Sequence, residues 1–253
     1  MYDMQNKVAI VTGGSLGIGQ ATALAFAREG AAVVVADVDQ ENGQNTVEQI
    51  TGDGGQAHFV RVDVSKADQV QQMVRETVDV FGRLDYACNN AGIGGKTAPI
   101  GEYPEEDWQR VININLTGVW LGTKYEIQQM LHNGGGAIVN MASILGEVGI
   151  ANSSAYVAAK HGVIGLTRAA ALEYSDQGIR INAVCPAFII TPMLEAAGIL
   201  NNPDLRTEIT NRHPIGRLGQ PDEVAETVLW LCSDAASFVT GHAMLVDGAY
   251  TVQ

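Results

Sequence analysis

The sequence predicts an α/β fold, a single-domain Rossmann fold whose doubly wound parallel sheet has seven strands and helices on both faces. Two observations predict it. Short runs rich in Val and Ile alternate about seven times with longer segments of helical period, and a parallel strand covered on both faces reads as a continuous apolar run. A glycine-rich stretch over 13–19 also joins the first such run directly to the first helix. Open α/β sheets hold phosphates at that kind of junction.

The strands are expected in "KVAIVT", "AAVVVAD", "AHFVRVDV", "LDYACNN", "GAIVNMAS", "RINAVCP" and "HAMLVDG". Helical period covers 20–29, 40–50, 67–81, 105–131, 154–175 and 222–232. The helix over 105–131 opens near Pro104 on "EEDW", a solvated acidic start that suits a helix N-terminus. Two segments break the rhythm. One runs over 188–220 and carries several prolines; the other, "ILGEVGIANSS", precedes the helix over 154–175. Both follow strands at their carboxyl ends, so the first is expected to be a substrate lid and the second a binding loop within one domain spanning 1–253.

A net charge of −13 excludes nucleic acid and anionic membrane as partners, because both require a basic face. No apolar stretch approaches the roughly 18 residues of a membrane span, and the N-terminus lacks a cationic leader pattern. A cytoplasmic protein is expected. Cys88, Cys185 and Cys232 are isolated, as structural thiols are in a reducing compartment. The five histidines show no ligand spacing, so no zinc site is expected.

In "TGGSLGIG" the glycines at Gly13, Gly17 and Gly19, with Ser15, Leu16 and Ile18 between them, suit a backbone cradle for a pyrophosphate. Their spacing is not the ordinary G-x-G-x-x-G. The second strand ends in Asp37, whose carboxylate can accept from adenosine ribose hydroxyls and would repel a 2′-phosphate. NAD rather than NADP is therefore expected, and the absence of a basic residue at Leu16 or Val38 agrees. The alternative role for Asp37 is to cap the following helix. Asp63 and Val64 end the third strand, and Asn90, Ala91 and Gly92 follow the fourth, so all should face one crevice as cofactor wall. Further along, "YVAAK" places Tyr156 and Lys160 four residues apart, on one helical face.

Taken as an ordered set, "TGGSLGIG", Asp63, "NNAG", Asn115 in "INLTG", Ser143 in "MASILG" and "YVAAK" resemble the short-chain dehydrogenase/reductase family over essentially the whole chain. "PIGRLGQPDEVA" and "FVTGHAMLVDG" strengthen the resemblance. It implies that Tyr156 exchanges a proton with an alcohol or carbonyl, while Lys160 binds the nicotinamide ribose and makes the phenol more acidic. A free phenol titrates near 10, and a neighbouring cation favours its ionised form. The resemblance also implies that Ser143 holds the reacting oxygen and that Asn115 disturbs its helix and holds a water linking Lys160 to solvent. Pro186, Ile189 and Thr191 would form the nicotinamide turn, although Ala187 stands where the family usually has Gly. Ala249 is a second such departure.

The expected substrate wall is Ser143, Leu145, Val148, Tyr156, Ala187, Phe188, Met193 and Leu194. Because it is mostly apolar, the expected activity is NAD-dependent hydride transfer between nicotinamide and a hydrophobic secondary alcohol or ketone, cyclic and aryl-bearing ones included. A 3-oxoacyl-carrier-protein reductase, a sugar dehydrogenase and a non-catalytic cofactor sensor are the competing readings. The resemblance further implies a homotetramer paired through the helices over 105–131 and 154–175, and a structural divalent ion beside Gln253 at the C-terminus.

Overall fold

The computed structural model describes residues 2–252. Seven strands form one sheet: β1 (Val8–Thr12), β2 (Ala32–Asp37), β3 (Ala57–Arg61), β4 (Tyr86–Asn89), β5 (Gly136–Met141), β6 (Ile179–Pro186) and β7 (Ala243–Val246). All pairings are parallel, in the order β3-β2-β1-β4-β5-β6-β7. The chain moves outward from β1 to β3, then returns to the other side of β1 for β4. Connections therefore diverge above β1 and β4, which opens a crevice at their carboxyl ends.

The major helices are α1 (Gly17–Arg28), α2 (Gln40–Gly52), α3 (Ala67–Phe81), α4 (Glu105–Ile112), α5 (Gly118–Asn133) and α6 (Ser154–Tyr174). They are followed by α7 (Pro192–Ala196), α8 (Pro203–Asn211) and α9 (Pro221–Cys232). Strand alternation divides the core. Ala9, Val11, Val33, Val35 and Val139 face Phe26 of α1 and Val228 of α9, whereas Ile10, Val34, Ala87 and Ile138 face Met73 of α3 and Met130 of α5. None of the helices among the described residues is long and apolar enough to cross a membrane.

Three features depart from the expected elements. The helix expected over 105–131 is two helices separated by a π-helical turn, Asn113–Thr117. β3 stops at Arg61, which leaves Asp63 beyond the strand rather than at its end. The segment over 188–220 is not irregular throughout: Thr191 and Asn202 cap α7 and α8, each of which then starts on proline. A side-chain acceptor followed by Pro at the first helical position is a local helix-start signal.

Candidate active site

The glycine loop fits an anion by its backbone. Gly13 has φ +65°, and a Cβ there would come within 2.8 Å of Asn90 Nδ2. At Gly19 a Cβ would lie 2.0 Å from the Gly13 carbonyl oxygen, so α1 can sit on this loop only with glycine at that position. Leu16, the residue before α1, offers no capping hydrogen bond. The first-turn N–H groups, including those of Gly17, Ile18 and Gly19, are thus left for an external acceptor, aided by the helix dipole.

The crevice floor is stitched together by residues on both sides of it. Asn90 Nδ2 donates to the Thr12 and Gly13 carbonyls at 3.0 and 3.2 Å, so this side chain fixes the loop. Thr12 Oγ1 accepts from the Asn90 and Ala91 amides at 3.0 and 3.1 Å. Sequence reasoning missed Thr12, whose only signal is a hydroxyl at the last position of β1. Gly92 lies over Asn115, where a Cβ would be 3.4 Å from Oδ1.

Asp37 accepts from the Ser15 amide at 3.1 Å through one oxygen and from the Asp39 amide at 3.1 Å through the other. The helix-capping role belongs to Asp39, which accepts from the Asn42 amide at 3.2 Å. Asp37 is free of that role and stands beside the glycine loop. Leu16 and Val38 are exposed next to it. Asp63 accepts from the Ser65 amide and hydroxyl at 3.0 and 2.7 Å, while Val64 is buried against Gly118 of α5.

Lys160 is only 3% exposed, and its ammonium donates to the Met141 carbonyl at 2.6 Å. It lies 5.5 Å from the centroid of the Tyr156 ring, one turn earlier on α6. Burial lowers the Lys160 pKa to about 8. Burial also pushes the Tyr156 phenol up, and an interaction with the Ser143 hydroxyl pulls it back. Ser143 follows β5; its Oγ accepts from the Leu145 amide at 3.2 Å and donates to the Pro186 carbonyl at 3.5 Å. The serine is therefore a turn cap and, at the same time, a neighbour of the phenol.

Asn115 is fully buried inside the π-helical turn. Its Oδ1 accepts from the Ile93 amide at 2.9 Å, and its Nδ2 donates to the Ile93 carbonyl at 2.8 Å. The side chain thereby clamps the segment after β4. A π turn shifts the backbone out of ordinary helical register, which re-aims the carbonyls around Asn115.

Pro186 ends β6, and Ile189 is buried in an isolated bridge to Gly219. Thr191 meets the glycine loop: a Cβ on Gly17 would be 3.3 Å from Thr191 Cγ2. Of the residues expected to form the substrate wall, Leu145, Val148 and Ala187 are half-buried and Met193 is exposed. Phe188 and Leu194 make further contacts. Leu194 clusters with Ile209 and Leu218 of the segment over 188–220, and the Phe188 ring lies 5.8 Å from those of His213 and Tyr250. Among the described residues no group of three or more His, Cys, Asp or Glu side chains could hold a metal ion. Gln253 lies outside the described residues.

Residues 13–251 match a family model described as enoyl-(acyl carrier protein) reductase. The chain is 49% identical to cyclohexanol dehydrogenase of Acinetobacter sp. (strain SE19), over 97% of this chain and 95% of that protein. It is 48% identical to cis-4-hydroxycyclohexanecarboxylate dehydrogenase of Sinomonas cyclohexanicum, over 97% and 96%. The crystal structure of levodione reductase superposes with a TM-score of 0.94 at 39% identity, covering 98% of this chain and 99% of that one. With the seven-stranded parallel sheet and full-length similarity both in place, the chain belongs to the short-chain dehydrogenase/reductase family.

Proposed function

We propose that the protein is an NAD-dependent dehydrogenase of neutral cyclic secondary alcohols, which also reduces the corresponding ketones. The observation that carries this reading is the placement of Tyr156 between the Lys160 ammonium and the Ser143 hydroxyl, at the open end of β5. In this reading Ser143 Oγ orients the carbinol oxygen and Tyr156 Oη takes its proton. Lys160, anchored on the Met141 carbonyl, holds positive charge beside the phenol as that proton arrives. When bound, the nicotinamide supplies the acceptor for the hydride leaving the carbinol carbon. Asn115 serves the relay through its distorted turn, since its amide is engaged with Ile93.

Asp37 supports NAD over NADP, because a carboxylate beside the phosphate loop accepts from ribose hydroxyls and repels a 2′-phosphate. The adenine end would meet Asp63 and the exposed Leu16 and Val38, and the nicotinamide end would meet Pro186, Ile189 and Thr191. The similarity to dehydrogenases of cyclohexanol and of a hydroxycyclohexanecarboxylate supports a ring substrate. A neutral ring is favoured because Leu145, Val148, Ala187 and Met193 offer no cation to a carboxylate. We further propose a cytosolic homotetramer, supported by the buried free thiols and by Trp120 and Leu172 exposed on α5 and α6.

The test is a comparison of kcat/KM for cyclohexanol, 4-hydroxycyclohexanecarboxylate and an open-chain secondary alcohol, each with NAD and with NADP. Cyclohexanol with NAD is expected to give the highest value. A preference for the carboxylated ring would overturn the neutral-ring assignment, and faster turnover with NADP would overturn the role given to Asp37.

A further inference from the structure

Beneath the candidate site lies a buried polar cluster that the proposed chemistry does not use. Asn89 of β4 and Asn140 of β5 are register partners, and Asn89 Nδ2 donates to Asn140 Oδ1 at 3.1 Å. Thr123 of α5 donates to the same oxygen at 3.2 Å, while Asn140 Nδ2 donates to Thr167 of α6 at 3.1 Å. Glu126 of α5 completes the cluster. It is fully buried; its Oε2 accepts from Asn89 Nδ2 at 2.8 Å, and its Oε1 has no partner.

The packed elements bring no countercharge to it. β4 contributes the Cys88 thiol, pushed up by burial and then by Cys232 and Glu126, and α3 contributes Val70, Met73, Val74 and Thr77. β5 and α6 present Asn140 and Thr167. Lys124 on α5 itself lies over the Trp120 and Tyr125 rings, 5.3 and 5.2 Å from their centroids. Lys160 of α6 is engaged with Met141. A buried carboxylate without a cation is costly, and such a group keeps its proton instead.

We propose that Glu126 is kept as a neutral carboxylic acid in the folded protein, tying α5 to Asn89 of β4, and that its ionisation puts an uncompensated charge into the core and destabilises the fold. Asn89 is followed directly by Asn90, Ala91 and Gly92, and Asn140 is followed by Met141, whose carbonyl holds the Lys160 ammonium. Burial pushes the Glu126 carboxyl up to about 8, against the opposing Asn89 hydrogen bond. Because the folded value lies above the unfolded one, the neutral group's stabilisation is complete below the unfolded carboxylate range and is lost as pH rises towards about 8. Across that window the folding equilibrium weakens about tenfold per pH unit from this group alone.

Urea unfolding of the full chain and of Glu126→Gln, from about pH 6 to pH 9, isolates the effect, because Gln keeps the acceptor oxygen and cannot ionise. The wild type is expected to lose stability relative to the variant by about tenfold per pH unit up to about pH 8 and then run parallel to it. Profiles parallel throughout would overturn the proposal. Infrared spectroscopy of the wild type decides the protonation state even if the variant fails to fold. A buried protonated-carboxyl band at about pH 7 that vanishes by about pH 9 is expected, and its absence at the lower pH overturns the assignment. Unfolding requires neither substrate nor cofactor, so failure here leaves the dehydrogenase reading untouched.

Discussion

Lys160 holds its ammonium 5.5 Å from the centroid of the Tyr156 ring while donating to the Met141 carbonyl at 2.6 Å. The carbonyl fixes where the charge sits, and helical spacing fixes which ring it faces. Removing the cation should therefore make the phenol harder to ionise. For Lys160→Met, kcat for alcohol oxidation is expected to fall by about 100-fold or more, with the apparent pKa of the rate moved upward. A pH–rate profile checks this; a lysine that only packs would lower the amplitude without moving the pKa.

Asp37 accepts two backbone amides and leaves the capping of α2 to Asp39. One of its oxygens thus binds the glycine loop through the Ser15 amide. Replacing Asp37 with Ser is expected to weaken NAD binding by about 10-fold to 100-fold, the range of one or two charge-assisted hydrogen bonds, and to weaken NADP binding much less. Titration of both cofactors by fluorescence measures the ratio. An unchanged NAD-to-NADP preference would contradict the assignment.

The Asn115 side chain satisfies both the amide and the carbonyl of Ile93. Asn115→Ala leaves that half-buried pair without its partners and should cost about 1–3 kcal/mol of stability, at roughly 0.5–1.5 per lost hydrogen bond. The loss of kcat should exceed the loss of folded protein, because Leu116 of the same turn shares an apolar cluster with Tyr156. Urea unfolding together with active-site titration separates the two effects.

Ala249 has φ +71°, a region in which a Cβ is strained. The chain tolerates there what glycine would adopt without cost. Ala249→Gly is expected to stabilise the fold by about 1 kcal/mol, raising Tm by roughly 2–4 °C, with kcat unchanged. Calorimetry is sufficient to test it.

The sheet was legible in the sequence because strands buried on both faces need continuous apolar runs, and β1, β2 and β6 have them. Tyr156 and Lys160 were legible through their four-residue spacing. The π-helical turn was legible only as two poor helix formers, Asn115 and Gly118, because what stabilises it is a pair of hydrogen bonds to Ile93, distant in sequence. For the same reason the hold of the Asn90 amide on Thr12 and Gly13 left no signal in the sequence. How Leu194 and Phe188 pack was not legible, because apolar character does not say which core a side chain joins; Leu194 clusters with Ile209 and Leu218. Glu126 gave no signal in the sequence, since burial of a carboxyl depends on how α5 meets β4 and β5.

The most direct measurement is the initial rate of NADH formation from cyclohexanol by the wild type and by Tyr156→Phe, with NAD binding titrated separately for each. Phe keeps the ring and removes only the hydroxyl to which we assign the proton exchange. The variant is expected to bind NAD within about twofold of the wild type and to lose at least about 1,000-fold in kcat. Turnover by the variant within about tenfold of the wild type would contradict the assignment of the proton transfer to Tyr156.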